Sequence, residues 1–137
     1  MRYVTRERVH VDRIATAWAI RRFIDPEATF ALVPRTHALS DKDGVAFDVR
    51  GAELSHRDER CTFEVLLETR HISDPAAARM ALIVRGADLP HQDGAPPESS
   101  GVRAVFDALR DTDMTDDDRV AKGSVICDAL YAHCAAR

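Results

Sequence analysis

The sequence predicts a single α/β domain spanning residues 1–137, with a small mixed sheet that begins as a βαβ unit and several helices in the C-terminal half. Three observations predict it. The chain opens with a short strand-prone run, an apolar helix and a second strand-prone run, the order in which a crossover helix joins parallel strands. The second half is dominated by helix signals: caps, a proline at a first helical position and an apolar stripe. At 137 residues, 45% hydrophobic and 31% charged, the chain can bury one real core but is too short for two ordinary domains.

In chain order, Arg2 to Thr5 reads as a brief strand and Ile14 to Ile24 as a helix, with Arg21 and Arg22 near its C-terminal end where positive charge is favourable. Asp25-Pro26 closes it. Thr29 to Pro34 is a compact strand-prone run stopped by its proline. Asp41-Lys42-Asp43-Gly44 reads as a turn, Val45 to Val49 as a strand, and Arg50-Gly51 as a break before a further short strand, Ala52 to His56. Cys61 to Leu67 begins a helix with Thr62 as its natural N-cap and Glu64 near the positive end of the dipole. Ser73-Asp74-Pro75 starts the next, since proline suits the first helical position; Ala76 to Val84 continue it and Gly86 ends it near Asp88. Leu89 to Gly101 holds three prolines, two glycines and two serines, the composition of a surface loop, and Val102 to Leu109 follows as a short helix. Thr115-Asp116-Asp117-Asp118 is an acidic helix start, and the last helix carries Gly123, Cys127, Leu130 and Cys134 on one packing stripe.

Composition excludes several classes. A formal charge of −4 does not suit a surface built throughout for nucleic acid or anionic membranes. No segment approaches the roughly 20 apolar residues that span a bilayer, and residues 1–8 lack a signal-peptide core, so a cytoplasmic location is expected. The three cysteines, Cys61, Cys127 and Cys134, form no CxxC pair and argue against a disulfide framework.

Chemistry gathers in three stretches, the first being Val9-His10-Val11-Asp12-Arg13. In an extended backbone His10 and Asp12 would share a face while Val9 and Val11 point into the core, and imidazole with carboxylate suits zinc, iron or manganese. The plain alternative is that Asp12 caps the helix at Arg13 or Ile14 and His10 is a partly buried surface residue. Second, His56, Arg57, Cys61 and Glu64 converge where a strand ends and a helix begins; the plain alternative makes Glu64 a dipole partner, Cys61 a small buried side chain and residues 57–60 a solvated loop. Third, Asp88 follows Arg85-Gly86-Ala87 where it could reach a shared pocket or merely fix a turn, with His91 and Asp93 beyond it in the loop. Asp128 and His133 lack the i,i+4 spacing of a helical ligand pair and read as structural.

Taken together these stretches resemble a family. Residues 4–15 (Val4 to Ala15), Trp18 and Ile20 to Pro26 look like the opening signature of the C-terminal domain of ChrB-type chromate-resistance proteins. Phe47-Asp48-Val49 with Gly51, His56-Arg57, Cys61 to Glu64, Ile83 to Asp88 and Asp128 to Tyr131 continue the match in order, so the resemblance covers nearly the whole chain. It implies a bacterial protein tied to chromate resistance, a regulator or sensor accompanying a chromate-efflux transporter. Longer relatives carry an additional N-terminal region, so direct nucleic-acid binding is not expected of this chain alone. Relatives commonly have Cys-Pro before the tryptophan, where Thr16-Ala17 stand here, which removes a metal or redox role for a cysteine at that point.

Chromate is a tetrahedral dianion, and Arg6, Arg8, Arg13, Arg57 and Arg85 accompany the three motifs, as a site for an oxyanion requires. A divalent transition metal held by His10, Asp12, His56 and Asp88 would add positive charge. Neutralising carboxylates on a solvated surface is the commoner fate of such arginines. Three functional classes stay open: a domain that binds a metal or oxyanion and reports it to a partner, with a homodimer allowed; a metal-dependent hydrolase of the phosphoesterase kind with Glu64 as base; and a chromate reductase using Cys61, weakened by the lack of a nearby resolving thiol. Binding ranks first.

Overall fold

The computed structural model describes all residues, 1–137. Strand β1 (Arg2–Arg6) runs into helix α1 (Val11–Ala19), whose last stretch, Ile20–Ile24, widens into a π-helical turn before β2 (Thr29–Val33). A single 3-10 turn at Asp41–Asp43 precedes the two-residue β3 (Val45–Ala46). Four helices complete the chain: α2 (Thr62–Thr69), α3 (Pro75–Asp88), α4 (Glu98–Asp111) and α5 (Asp116–Ala135). The expected βαβ opening and helical second half are therefore present in one α/β unit.

The sheet order is β2-β1-β3, and both pairings are parallel, so the sheet expected to be mixed is parallel throughout. β1 is central and buried from Tyr3 to Thr5, which is why both faces of this strand are apolar or hydrogen-bonded: the Thr5 hydroxyl donates to Phe47 O at 2.7 Å. Gly44, at φ +114°, lets the chain pass close against Arg2; a Cβ there would lie 2.5 Å from the Arg2 carbonyl oxygen. A hydrophobic cluster of 27 buried residues joins the sheet to the helices, with α1 packed between α2, α3 and α5.

Besides α4, which starts at Glu98 inside the expected loop, four boundaries move for identifiable reasons. α1 begins a turn earlier than Ile14 because His10 takes the extended N-cap conformation (φ −136°) and Asp12 enters the first helical turn. The strand expected over Val45 to Val49 stops at Ala46, and Ala52 to His56 keeps a single bridge, Phe47 to Leu54; left-handed backbone at Asp48 (φ +52°) and Gly51 (φ +87°) turns the chain between them. At α2, Cys61 rather than Thr62 holds the N-cap position, with Glu64 Oε1 accepting from the Cys61 amide at 3.1 Å. α3 runs through Gly86 to Asp88, since Gly86 lies buried against Ser99 and Ala95 and functions as a close-packing residue instead of a stop. Asp74 and Pro75 do start that helix, the Asp74 carboxylate accepting from Ala76 and Ala77.

Candidate metal and anion site

The order β2-β1-β3 reverses direction at β1, because the chain leaves β1 for one neighbour and later returns to its other side. In an open parallel sheet such a switch point leaves a crevice beyond the carboxyl ends of the strands, where ligands bind. Residues following β1 and β3 meet there: Asp12 and Arg13 at the start of α1, Asp48 just past β3, and His56 after the loop it closes.

Asp12 is 2% exposed and spans two elements. Its Oδ1 accepts the Phe63 amide at 3.0 Å and its Oδ2 the Thr62 amide at 2.9 Å, so Asp12 caps α2, 50 residues away, and not its own helix. The same Oδ2 lies 3.0 Å from His56 Nε2. His56 Nε2 also stands 2.9 Å from Asp88 Oδ2 and 3.9 Å from Asp48 Oδ1. One ring nitrogen carries at most one proton, and it is directed at Asp12; Asp88 Oδ2 is left buried with no hydrogen-bond donor.

The electrostatics follow from this crowding. The hydrogen bond to Asp12 and then the nearby Asp88 carboxylate push the His56 pKa up to about 10 against the cost of burial. Burial, followed by repulsion from Asp12, pushes Asp48 up to about 7, although Arg13 beside it and a hydrogen bond from Thr62 act the other way. Arg13 holds Asp48 twice, by an ion pair of Nε with the carboxylate at 3.1 Å and by a hydrogen bond from a guanidinium nitrogen to the Asp48 carbonyl at 2.7 Å.

Asp12, Asp48 and His56 each offer a ligand atom, and these lie within 4.8 Å of one another. A zinc-like ion about 2.0–2.2 Å from each donor would hold them at comparable spacing, so the residues fit such an ion. The orphaned Asp88 oxygen points the same way, since an ion replacing the His56 proton relieves the shortage of positive charge. With His56 neutral, three carboxylates, Arg13 and a divalent cation balance in charge.

A cleft of about 840 Å³ opens on the other side of His56 and Asp48, lined also by Arg6, Arg13, Arg35, Arg50 and Ser55. A second cleft, of about 590 Å³, reaches His56 from the direction of Asp58, Glu59, His91 and Asp93. His56 therefore stands between a basic and a largely acidic opening.

Of the expected metal ligands, the structure brings together Asp12, His56 and Asp88 and leaves His10 out: His10 Nε2 pairs with Asp107 on α4 at 2.7 Å. The helical turn at Asp12 is the cause, because residues two apart on a helix point to different faces. Of the expected arginines, Arg6 and Arg13 line the basic cleft. Arg8 contributes its backbone amide to Asp116, Arg57 donates to Glu53 O, and Arg85 pairs with Glu64 at 3.5 Å. Glu64 is thus committed to the start of α2 and to Arg85, which removes it as a free base. Cys61 is fully buried and its thiol is pushed up by burial, which withholds the thiolate that redox chemistry needs. Asp128 accepts from Trp18 Nε1 at 2.8 Å and His133 pairs with Glu98. Sequence reading missed Asp48, Arg35 and Arg50 as site residues. For Asp48 the signal was its place in a Phe-Asp-Val run followed by a break; the two arginines gave none.

Fold and site together define an α/β domain whose parallel sheet presents a histidine–carboxylate cluster and a basic cleft at its switch point. The chain belongs to the ChrB C-terminal domain family, whose model matches residues 3–134. It is 37% identical over 134 residues to Protein ChrB of Cupriavidus metallidurans, a match that covers 96% of this chain and 40% of that protein. The chain thus spans well under half the length of that curated relative. No solved structure matches it. No helix is long and apolar enough to cross a membrane.

Proposed function

We propose that this domain serves bacterial chromate resistance by binding: a divalent transition metal at Asp12, Asp48, His56 and Asp88, and a tetrahedral oxyanion such as chromate in the adjoining arginine cleft. Kinship with ChrB supports the biological setting. The observation that carries the site is the single His56 proton set against two carboxylates, beside a cleft lined by four guanidiniums. Bound there, the metal would fix His56 and the three carboxylates in one arrangement and add positive charge to the wall that the anion meets. Arg13 couples the two halves, because it pairs with Asp48 while lining the cleft. A sensing role follows from that sharing: an anion that draws Arg13 away from Asp48 changes the cluster that caps α2 through Asp12.

Binding is favoured over catalysis by the same geometry, since Glu64 and Cys61 are both committed elsewhere. The test is elemental analysis of protein purified without chelator, followed by chromate titration. Close to one transition metal per chain is expected, lost in His56→Ala and kept in His10→Ala. Metal-free protein at full folding, or metal retained without His56, overturns the reading.

A further inference from the structure

The basic cleft has more room than a bare tetrahedral anion fills. At about 840 Å³ it falls within the range of small-molecule sites, roughly 300–1,000 Å³, and an anion of one central atom and four oxygens would fill a minor part of it. Its positive charge is also divided in kind. Arg6 is anchored to the carbonyls of Pro34 and His37 at 2.8 Å, and Arg13 to Asp48. Arg35 and Arg50 are exposed and have no hydrogen bond or ion pair to the protein, so their donors are free for a ligand.

The remaining lining restricts what else the ligand carries. Val49 is its one apolar residue, so nothing offers an acyl chain a surface to bury against. The Ser55 hydroxyl is part of the wall and, donating its proton to Ala52 O, keeps its lone pairs for a donor. Gly51, at φ +87°, has open space where a side chain would be and leaves its backbone accessible. Such a wall pairs with hydroxyl groups.

We propose that the cleft takes a hydroxyl-rich phosphomonoester of the sugar-phosphate class, its phosphate held by the free guanidiniums of Arg35 and Arg50 and its hydroxyls by the polar wall around Ser55 and Gly51. Guanidinium forks match phosphate oxygens in bidentate fashion, which gives two freely placed arginines both affinity and orientation. This rests on the anion-cleft half of the function proposed above and deepens it, the tetrahedral oxyanion being carried on a larger ligand.

Calorimetric titration of the full chain, with its metal content measured in the same sample, tests it. The probes are glycerol 3-phosphate, ribose 5-phosphate, glucose 6-phosphate, inorganic phosphate, chromate and unphosphorylated ribose. At least one of the three esters is expected to bind tenfold or more tightly than inorganic phosphate and chromate, with ribose alone inert. The Arg35→Ala/Arg50→Ala variant is expected to lose tenfold or more of that affinity with metal content unchanged. Inorganic anions that bind as tightly as every ester overturn this inference and leave the parent reading standing. Absence of binding by any anion overturns both, and ester binding untouched by the double variant overturns the assignment to these arginines.

Discussion

Asp12 and His56, 44 positions apart in the chain, meet at 3.0 Å between carboxylate oxygen and ring nitrogen. The contact ties the beginning of α1 to the segment that leads into α2, and Asp12 closes the tie by accepting two α2 amides. A group that caps a helix and also bonds a titratable ring nitrogen makes local stability and the protonation of that nitrogen interdependent.

Asp12→Ala is expected to remove the acceptor for the Thr62 and Phe63 amides and to destabilise the fold by about 2 to 4 kcal/mol, from a lost cap and unpaired buried donors. Urea denaturation with circular dichroism measures it. A loss below about 0.5 kcal/mol would show that the cap contributes nothing.

Chelator-treated protein is expected to lose stability as the solution becomes alkaline. The folded pKa of His56, pushed up to about 10, lies above its ordinary 6.5. The folded state therefore binds the proton more tightly; its contribution is complete below about pH 6.5 and fades as pH rises through 10. Asp48, raised to about 7 from 3.8, acts in the same direction between those values. Denaturation midpoints at pH 5, 7 and 9.5 should fall in that order, and His56→Gln should flatten the upper part of the profile.

Gly123→Ala places a methyl group 2.6 Å from Ile14 Cγ2 where α5 crosses α1, a distance at which the Ile14 side chain or the helices must shift. Overpacking of this kind costs about 1 to 3 kcal/mol, read as a lower thermal midpoint. An unchanged midpoint would mean that Ile14 finds another rotamer without strain.

Native protein is expected to leave all three cysteines unlabelled by a thiol reagent at pH 8, because Cys61, Cys127 and Cys134 are buried and burial raises each thiol. Labelling of three thiols should appear on unfolding. Rapid modification of Cys61 in the folded state would restore the redox reading.

The sequence by itself determined the elements and the kinship. Caps at Asp74 and Thr115, the proline at 75 and the apolar runs around β1 and β2 are local signals, because helix ends and strand runs are fixed by neighbours a few residues away. Asp12, His56 and Asp88 could be named for the same reason: each sits at an element boundary. Partners were another matter. Whether His10 followed Asp12 into the cluster depended on the backbone turning helical at Val11, and it went to Asp107 instead. Asp48, Arg35 and Arg50 entered the site through the strand order β2-β1-β3, which brings together the segments after three strands that lie far apart in the chain. Spacing along a chain encodes which face a side chain takes; it does not encode which distant segment that face will meet, and here the packing of α1 against α2 and the parallel pairing around β1 made that choice.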